Sequence, residues 1–135
     1  MQMTQAGRMC ACPEGPAACS QPFCPYFHVA VELIGRRWTG AILRALMRGV
    51  TRFGDLAETI PDLSDRMLSE RLKELESEGI VVRQVIPDMP VRIEYHLTPK
   101  GRALESVVTA ILAWTDNWLA SPTRTTPAPT WTDAD

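Results

Sequence analysis

The sequence predicts a mostly helical domain that carries one small β-hairpin, an α+β fold in which helices dominate. Three observations support this prediction. Apolar residues recur at helical spacing through most of residues 24–120, a β-branched run follows Gly79, and a Pro-Asp-Met-Pro turn joins that run to a second one. The chain has 135 residues, 45% hydrophobic and 22% charged, so it can bury one core of its own.

Composition divides the chain into three segments. Residues 1–23 form an arm rich in cysteine and proline, and residues 24–120 carry the periodic pattern. Residues 121–135 form a tail rich in Pro, Thr and Asp. We expect this tail to be disordered, because it contains few of the apolar residues that a packed segment needs.

Four stretches ahead of the hairpin place apolar residues on one helical face, and a glycine or proline ends each pattern. They predict four helices, over residues 25–34, 36–47, 53–60 and 64–78. Ser64 is the predicted N-cap of the fourth helix, with Asp65 in its first turn. The short third helix, a tight turn and the fourth helix together predict a helix-turn-helix.

The hairpin follows this helix-turn-helix directly. Its strands are expected over residues 80–86 and 91–97, joined by the turn at 87–90, and residues 50–52 are a candidate for a third, very short strand. A final helix is predicted over residues 99–120. A hairpin in this position forms a wing, so the pattern alone predicts a winged helix-turn-helix.

The final helix carries more apolar surface than one small domain covers. Its apolar residues are Leu104, Val107, Val108, Ile111, Leu112, Trp114, Trp118 and Leu119. They include two overlapping stripes, one of Leu104, Val108 and Ile111 and one of Val107, Ile111, Trp114 and Trp118. One interpretation is a helix buried in the core of the domain. The favoured interpretation is a homodimer interface, built from residues 99–120 and the amino-terminal region, because so wide a stripe is costly to leave in water.

Charge and hydropathy restrict the environment and the partners of the chain. Fourteen basic and sixteen acidic side chains give a net charge of −2, so any contact with DNA has to come from a local basic face. No apolar run approaches the ~20 residues of a membrane span. The first fifteen residues lack the apolar stretch of a signal peptide. We therefore expect a soluble, cytoplasmic protein that does not bind a membrane.

The sequence gives no sign of an enzyme. It contains no glycine-rich phosphate loop, no G-x-S-x-G and no H-E-x-x-H. Cys24 and His28 have the spacing of a Cys–His pair, but no third orienting group is evident. A DNA-binding regulator is the favoured class, and a protein-interaction module that uses the winged fold without DNA is the remote alternative.

The fourth predicted helix is the candidate DNA-reading element, because the second helix of a helix-turn-helix enters the major groove. Its leucines define a buried face and leave charged residues opposite them. The candidate DNA-binding residues on this helix are Ser64, Asp65, Arg66, Met67, Ser69, Glu70, Arg71 and Lys73. Arginine suits guanine and glutamate accepts from cytosine N4. The alternative is a solvated face held by ion pairs along the helix.

Four arginines outside this helix extend the candidate DNA-binding surface. Arg36 and Arg37 are expected to open the second helix, and Arg52 precedes the third. Arg92 follows the hairpin turn, where a wing arginine can bind phosphate or enter a minor groove. Their placement around a helix-turn-helix and a wing favours DNA binding over a solvated surface.

Several motifs, in this order, resemble those of the HxlR-type regulators, relatives of the MarR group. They are Cys24-Pro25, ELIGRRWT at 32–39, ILRAL at 42–46, RFGDL at 52–56, IPDLS at 60–64, MLSERLKEL at 67–75, Gly79 and RIEYHLTPKG at 92–101. The resemblance covers about residues 24–119. Two departures are small: Arg37 stands where lysine is usual, and Val91 replaces a second proline.

The resemblance implies a dimeric winged-helix regulator that binds an inverted-repeat operator in double-stranded DNA, and we expect it to act as a repressor. The recognition helix would be residues 64–78 and the wing residues 81–97. Many members sense electrophiles, oxidants or quinones through a cysteine at the start of the first helix. That cysteine is Cys24 in this chain.

Four cysteines, Cys10, Cys12, Cys19 and Cys24, allow several interpretations. Cys24 lies at a helix start, where the helix dipole and a nearby Arg36 or Arg37 would favour the thiolate, so it can act as a sensing thiol that pairs with another cysteine. Thiolates can instead hold zinc or an iron–sulfur cluster. His28 stands four residues after Cys24 and can join such a site.

Two further interpretations of the cysteines stay open. Soft thiolates can bind Cu(I) or an arsenite-like inducer. Alternatively, Cys24 packs as a small apolar residue and the other three lie in a disordered arm. No cofactor is certain from the sequence, and redox sensing is the favoured interpretation.

Overall fold

A computed structural model describes residues 21–120, and the secondary-structure elements within this range are numbered along the chain. They are α1 (Pro25–Ile34), α2 (Thr39–Met47), α3 (Phe53–Thr59), α4 (Asp65–Ser77), β1 (Val81–Ile86), β2 (Arg92–Leu97), α5 (Pro99–Arg102) and α6 (Glu105–Trp118). The predicted fold class, helix-rich with a two-stranded antiparallel wing, is confirmed. Residues 1–20 of the predicted arm and the predicted tail 121–135 lie outside the described residues.

The core lies between α2, α3, α4 and the base of the wing. Leu68, Leu72 and Leu75 recur on one face of α4, and each is at most 1% exposed. Residues of the other elements complete the buried cluster, among them Ile42, Leu43, Leu46, Leu56, Ile60, Ile80, Val81, Tyr95 and Leu97. Burial of the leucine face fixes the rotation of α4 and turns its opposite face to solvent.

The two strands pair in a register that decides which wing residues face the core. Val81 lies opposite Leu97, Arg83 opposite Tyr95, and the antiparallel partners share one side of the sheet. Val81, Tyr95 and Leu97 are buried, so this side of the wing faces the helices. The third strand suggested by residues 50–52 is a single bridge between Arg52 and Glu94.

The prediction that the second helix begins at Arg36 is wrong. Residues 35–38 form a turn, and Trp38 has the left-handed φ of 75° before α2 begins at Thr39. The Trp38 ring packs against the core, and the Arg37 guanidinium lies 5.2 Å from its centroid. The packing of Trp38 on the core holds the turn, so Arg36 and Arg37 precede the helix instead of opening it.

The single final helix predicted over residues 99–120 is divided in two. Thr98 caps α5, because its side chain accepts a hydrogen bond from the Gly101 amide, but Ala103 and Leu104 separate α5 from α6. Within the described part of the chain, α6 has no buried residue. The alternative of a core helix is therefore wrong for this chain by itself. No helix between residues 21 and 120 is long and apolar enough to cross a membrane.

Candidate nucleic-acid interface

The helix-turn-helix consists of α3, the turn at residues 60–64, and α4. Asp62 has a left-handed φ of 66° in this turn, a conformation that aspartate tolerates better than most residues. Ser64 is the N-cap of α4, since its hydroxyl accepts a 3.1 Å hydrogen bond from the Met67 amide. The amino-terminal half of α4, the part that meets base edges in this motif, thus begins at a fixed position.

The exposed face of α4 carries most of the residues that the sequence singled out. Arg66 has 89% of its side chain exposed, and its Nε donates to Glu70 Oε1 at 3.3 Å. An exposed pair four residues apart on a helix contributes only about 0.3–0.5 kcal/mol, so DNA can replace it. Ser64, Asp65 and Lys73 are exposed, and Ser69 is half-buried.

Two of the sequence candidates on α4 turn toward the protein. Met67 packs against the core. Arg71 has only 12% of its side chain exposed, and its Nε donates to the Arg37 carbonyl at 2.8 Å. Its Nη1 donates to Glu74 at 3.2 Å, so Arg71 ties the recognition helix to the turn that follows α1.

The arginines outside α4 lie in different environments. Arg36 pairs with Glu74 at 3.4 Å, which adds a second link between α4 and the turn at 35–38. Arg52 is exposed at the start of α3. Arg92, expected on the wing, has 35% of its side chain exposed and pairs with Asp88 at 2.8 Å, while its Nε is buried and has no hydrogen-bond partner among the described residues.

Arg83 is a candidate that sequence reasoning missed. It is exposed on β1, on the side of the wing that faces α4, and it lines a groove with Ser69 and Lys73. A signal was available, because Val81 is apolar and stands two residues earlier on the same side of the strand. Using that signal required knowing which side of the wing faces the helices, and that is a tertiary fact.

Cys24 lies directly before α1 and is partly buried. Its carbonyl oxygen accepts a 3.0 Å hydrogen bond from the His28 amide, so it starts the helix as expected. Arg36 and Arg37 stand beyond the opposite end of this ten-residue helix, which is about 15 Å long at 1.5 Å per residue. Cys10, Cys12 and Cys19 lie outside the described residues.

The expectation that His28 joins Cys24 in a metal site finds no support between residues 21 and 120. His28 Nε2 lies 3.4 Å from Glu32 Oε1, and its ring contacts Phe23 at 5.6 Å between centroids. No group of three or more His, Cys, Asp or Glu residues in this range is placed to hold a metal ion. A site that uses Cys10, Cys12 and Cys19 stays a prediction.

The fold and the exposed face of α4 define the class: a winged helix-turn-helix protein of the DNA-binding type. The sequence profile described as HxlR-like helix-turn-helix matches residues 33–123. The chain therefore belongs to the HxlR-like family of transcriptional regulators, and the resemblance stated above is confirmed.

Two relatives from Bacillus subtilis strain 168 are about half identical to the chain. YvaP, an HTH-type transcriptional regulator, is 49% identical over 96 residues, which cover 71% of this chain and 89% of YvaP. YodB, also an HTH-type transcriptional regulator, is 50% identical over 95 residues, which cover 70% of this chain and 85% of YodB. Neither relative is described as an enzyme.

Solved structures share the fold. The reduced form of YodB superposes with a TM-score of 0.64 at 48% identity and covers 72% of this chain and 95% of YodB. Structures of diamide-treated and quinone-bound YodB also match. The redox regulator HypR in its reduced form superposes with a TM-score of 0.64 at 33% identity, over 68% of this chain and 91% of HypR.

The Arg71 contacts predict a stability effect that is specific to this side chain. Arg71→Ala should lower the free energy of unfolding by about 1–3 kcal/mol, because the Arg37 carbonyl loses its donor and Glu74 loses a partner. Urea denaturation measures the change. The control is Lys73→Ala on the exposed face of the same helix, which should change stability by less than about 0.5 kcal/mol. Equal midpoints for the two variants would contradict the anchoring role.

Proposed function

We propose that the chain is a transcriptional repressor that binds an inverted-repeat operator as a homodimer and releases it when oxidants or electrophiles react with Cys24. The exposed polar face of α4 at the end of a helix-turn-helix carries the DNA-binding part of this proposal. Arg66, Ser69 and Glu70 would meet base edges, while Ser64, Lys73 and Arg52 would lie near phosphates.

An exposed apolar surface on α6 supports the homodimer. Leu104, Val108 and Thr115 share one side of α6 and are partly buried against the chain itself. The adjacent stripe is exposed and contains Val107, Ile111, Trp114 and Trp118, with the two tryptophans 54% and 53% exposed. A contiguous apolar stripe that stays exposed to water is typical of a protein interface, and a second copy of the chain would cover this one.

The first helix also carries exposed apolar residues. Phe27 and Val31 are large apolar residues of α1, and they are 69% and 50% exposed. They lie one helical turn apart on α1, directly after Cys24. In a dimer that uses both terminal helices, Cys24 would lie beside the interface, where an adduct or a disulfide to the partner can change how the two copies meet.

The relatives support the choice of signal. YodB has been solved in reduced, diamide-treated and quinone-bound forms, and HypR in reduced and oxidised forms. The chain is nearly half identical to YodB and starts its first helix with Cys24. We therefore propose thiol oxidation or alkylation as the signal for this chain.

A continuous set of contacts leads from Cys24 to the DNA-reading helix. Cys24 begins α1, and α1 ends in the turn that contains Arg37. The Arg37 carbonyl accepts the Arg71 hydrogen bond, and Arg71 belongs to α4. A shift of α1 after modification would therefore move α4 through the part-buried Arg71 side chain and the Arg36–Glu74 pair, which gives the proposal a mechanical route.

The DNA-reading role of α4 predicts a loss of sequence preference. Arg66→Ala should weaken binding to duplexes selected by the wild-type protein by about 1–3 kcal/mol and relax the preference at one base pair of each half-site. Binding to a randomised duplex pool, followed by sequencing of the bound fraction, measures both effects. Arg102→Ala on α5 removes the same charge elsewhere and should leave the preference intact. If Arg66→Ala keeps the affinity and the base preference of the wild-type protein, the result would favour the protein-interaction module.

The dimer predicts that one charge on α6 separates the subunits. Ile111→Asp places a carboxylate in the exposed apolar stripe and should convert a 30 kDa dimer, about twice the 15.0 kDa chain, to monomer in sedimentation velocity. Ala113→Asp adds the same charge on the other side of the same helix and should remain dimeric. Monomeric wild-type protein, or dissociation of both variants alike, would contradict the interface.

The sensing role predicts that Cys24 controls release from DNA. Diamide should weaken DNA binding by the wild-type protein at least about tenfold, or ~1.4 kcal/mol, and should leave Cys24→Ser unaffected. A variant with serine at positions 10, 12 and 19 tests whether these cysteines supply the disulfide partner. Equal release of wild-type and Cys24→Ser would overturn the role of Cys24. Native mass spectrometry before oxidation shows whether zinc or an iron–sulfur cluster accompanies the thiols.

A further inference from the structure

A groove of about 530 Å³ separates α4 from the wing. Three residues at helical spacing line it from α4: Ser69, Lys73 and Glu76. Arg83 lines it from β1. Lys73 and Arg83 are exposed, and neither forms a hydrogen bond or ion pair with another residue between 21 and 120. The groove therefore offers two cations that the described part of the fold does not neutralise.

The strand register explains why Arg83 faces this groove. Val81 is 2% exposed and sits in the core, and Arg83 follows two residues later on the same side of β1. Its partner across the hairpin is Tyr95, which is 9% exposed. On β1, Arg83 thus follows the last core residue of the strand and faces α4 across the groove.

Arg92 contrasts with Arg83 in both position and partners. In the hairpin Arg92 lies opposite Ile86. Because side chains alternate along a strand, this position is on the outer side of the wing, away from α4. Asp88 already neutralises its guanidinium at 2.8 Å. A phosphate that approached Arg92 would have to displace this carboxylate, whereas nothing in the described fold competes for Arg83.

We propose that this groove binds one backbone phosphate of the DNA in each half-site, with Arg83 as the main cation and Lys73 and Ser69 as further donors. The proposal rests on the DNA-binding function argued above. With the recognition helix in the major groove and the wing over the adjacent minor groove, one sugar–phosphate strand runs between them. Lys73 and Arg83 can donate to a phosphate from opposite walls, and Ser69 from the α4 wall.

Glu76 limits where the phosphate lies. It is one turn beyond Lys73, toward the carboxyl end of α4, so an anion is favoured at the Ser69 end of the groove and disfavoured at the Glu76 end. This contact carries no sequence information. It would instead fix how deeply α4 enters the major groove, and it would contribute to affinity on any DNA sequence.

The salt dependence of DNA binding tests the proposal. We would use a fluorescent 30-base-pair duplex selected by the wild-type protein, and an unselected duplex of equal length, between 50 and 300 mM KCl. Arg83→Ala should lower the slope of log K against log salt by about 0.9 for each bound protomer, and should weaken binding to both duplexes roughly five- to tenfold for each bound protomer near 0.1 M salt. Arg83→Lys should keep most of the slope, because a phosphate accepts either cation.

Two comparisons make the result specific. Arg102→Ala, which removes a charge on α5, should leave the slope unchanged, and Arg92→Ala should change it by less than half as much as Arg83→Ala. Thermal melting of each variant checks the fold. An unaltered salt slope for Arg83→Ala, or a loss of affinity confined to the selected duplex, would contradict the phosphate site. Neither result would contradict DNA binding itself. Wild-type DNA binding that does not depend on salt would contradict the proposed DNA-binding function as well.

Discussion

The buried leucine face of α4 is the constraint on which the rest of the structure depends. Leu68, Leu72 and Leu75 are each at most 1% exposed, so α4 cannot rotate without bringing a leucine into water at about 2 kcal/mol or more. That fixed rotation exposes Arg66 and buries Arg71. The orientation of α4 therefore gives two arginines five residues apart opposite roles. Arg66 is open to DNA, and Arg71 anchors the helix to its own domain.

The same helix sets the position of the wing. α4 ends at Ser77, and Gly79, whose φ of 75° favours glycine, follows the C-cap residue Glu78. The Ile80 amide then donates a hydrogen bond back to the Leu75 carbonyl. Ile80 and Val81 then enter the core directly after this turn, which fixes which residues of β1 face the helices. A shift of one residue would move Arg83 to the outer side of the wing and leave the groove without its wing cation.

Local patterns predicted the elements well and the partners of their side chains poorly. The caps at Ser64 and Thr98 could be predicted because each depends on contacts within a few residues. The turn before α2 and the bond from Arg71 to Arg37 could not, because they join residues that the fold brings together across 34 positions. The wing arginines show the same limit: position along the strand favoured Arg92, whereas the sheet register and the pairing with Asp88 favour Arg83.

Cations that have no ion pair in the described fold let a chain with a net charge of −2 present a locally basic surface to DNA. Glu74 pairs with both Arg36 and Arg71, and Asp88 pairs with Arg92, so these three arginines help to build the fold. The arginines and lysine that remain without an ion pair in the described fold include Arg52, Lys73 and Arg83. Arg52 starts α3, and the other two line the groove beside the wing. Because counterions screen charges beyond about 8–10 Å, it is this local excess, and not the net charge of the whole chain, that a DNA backbone would meet.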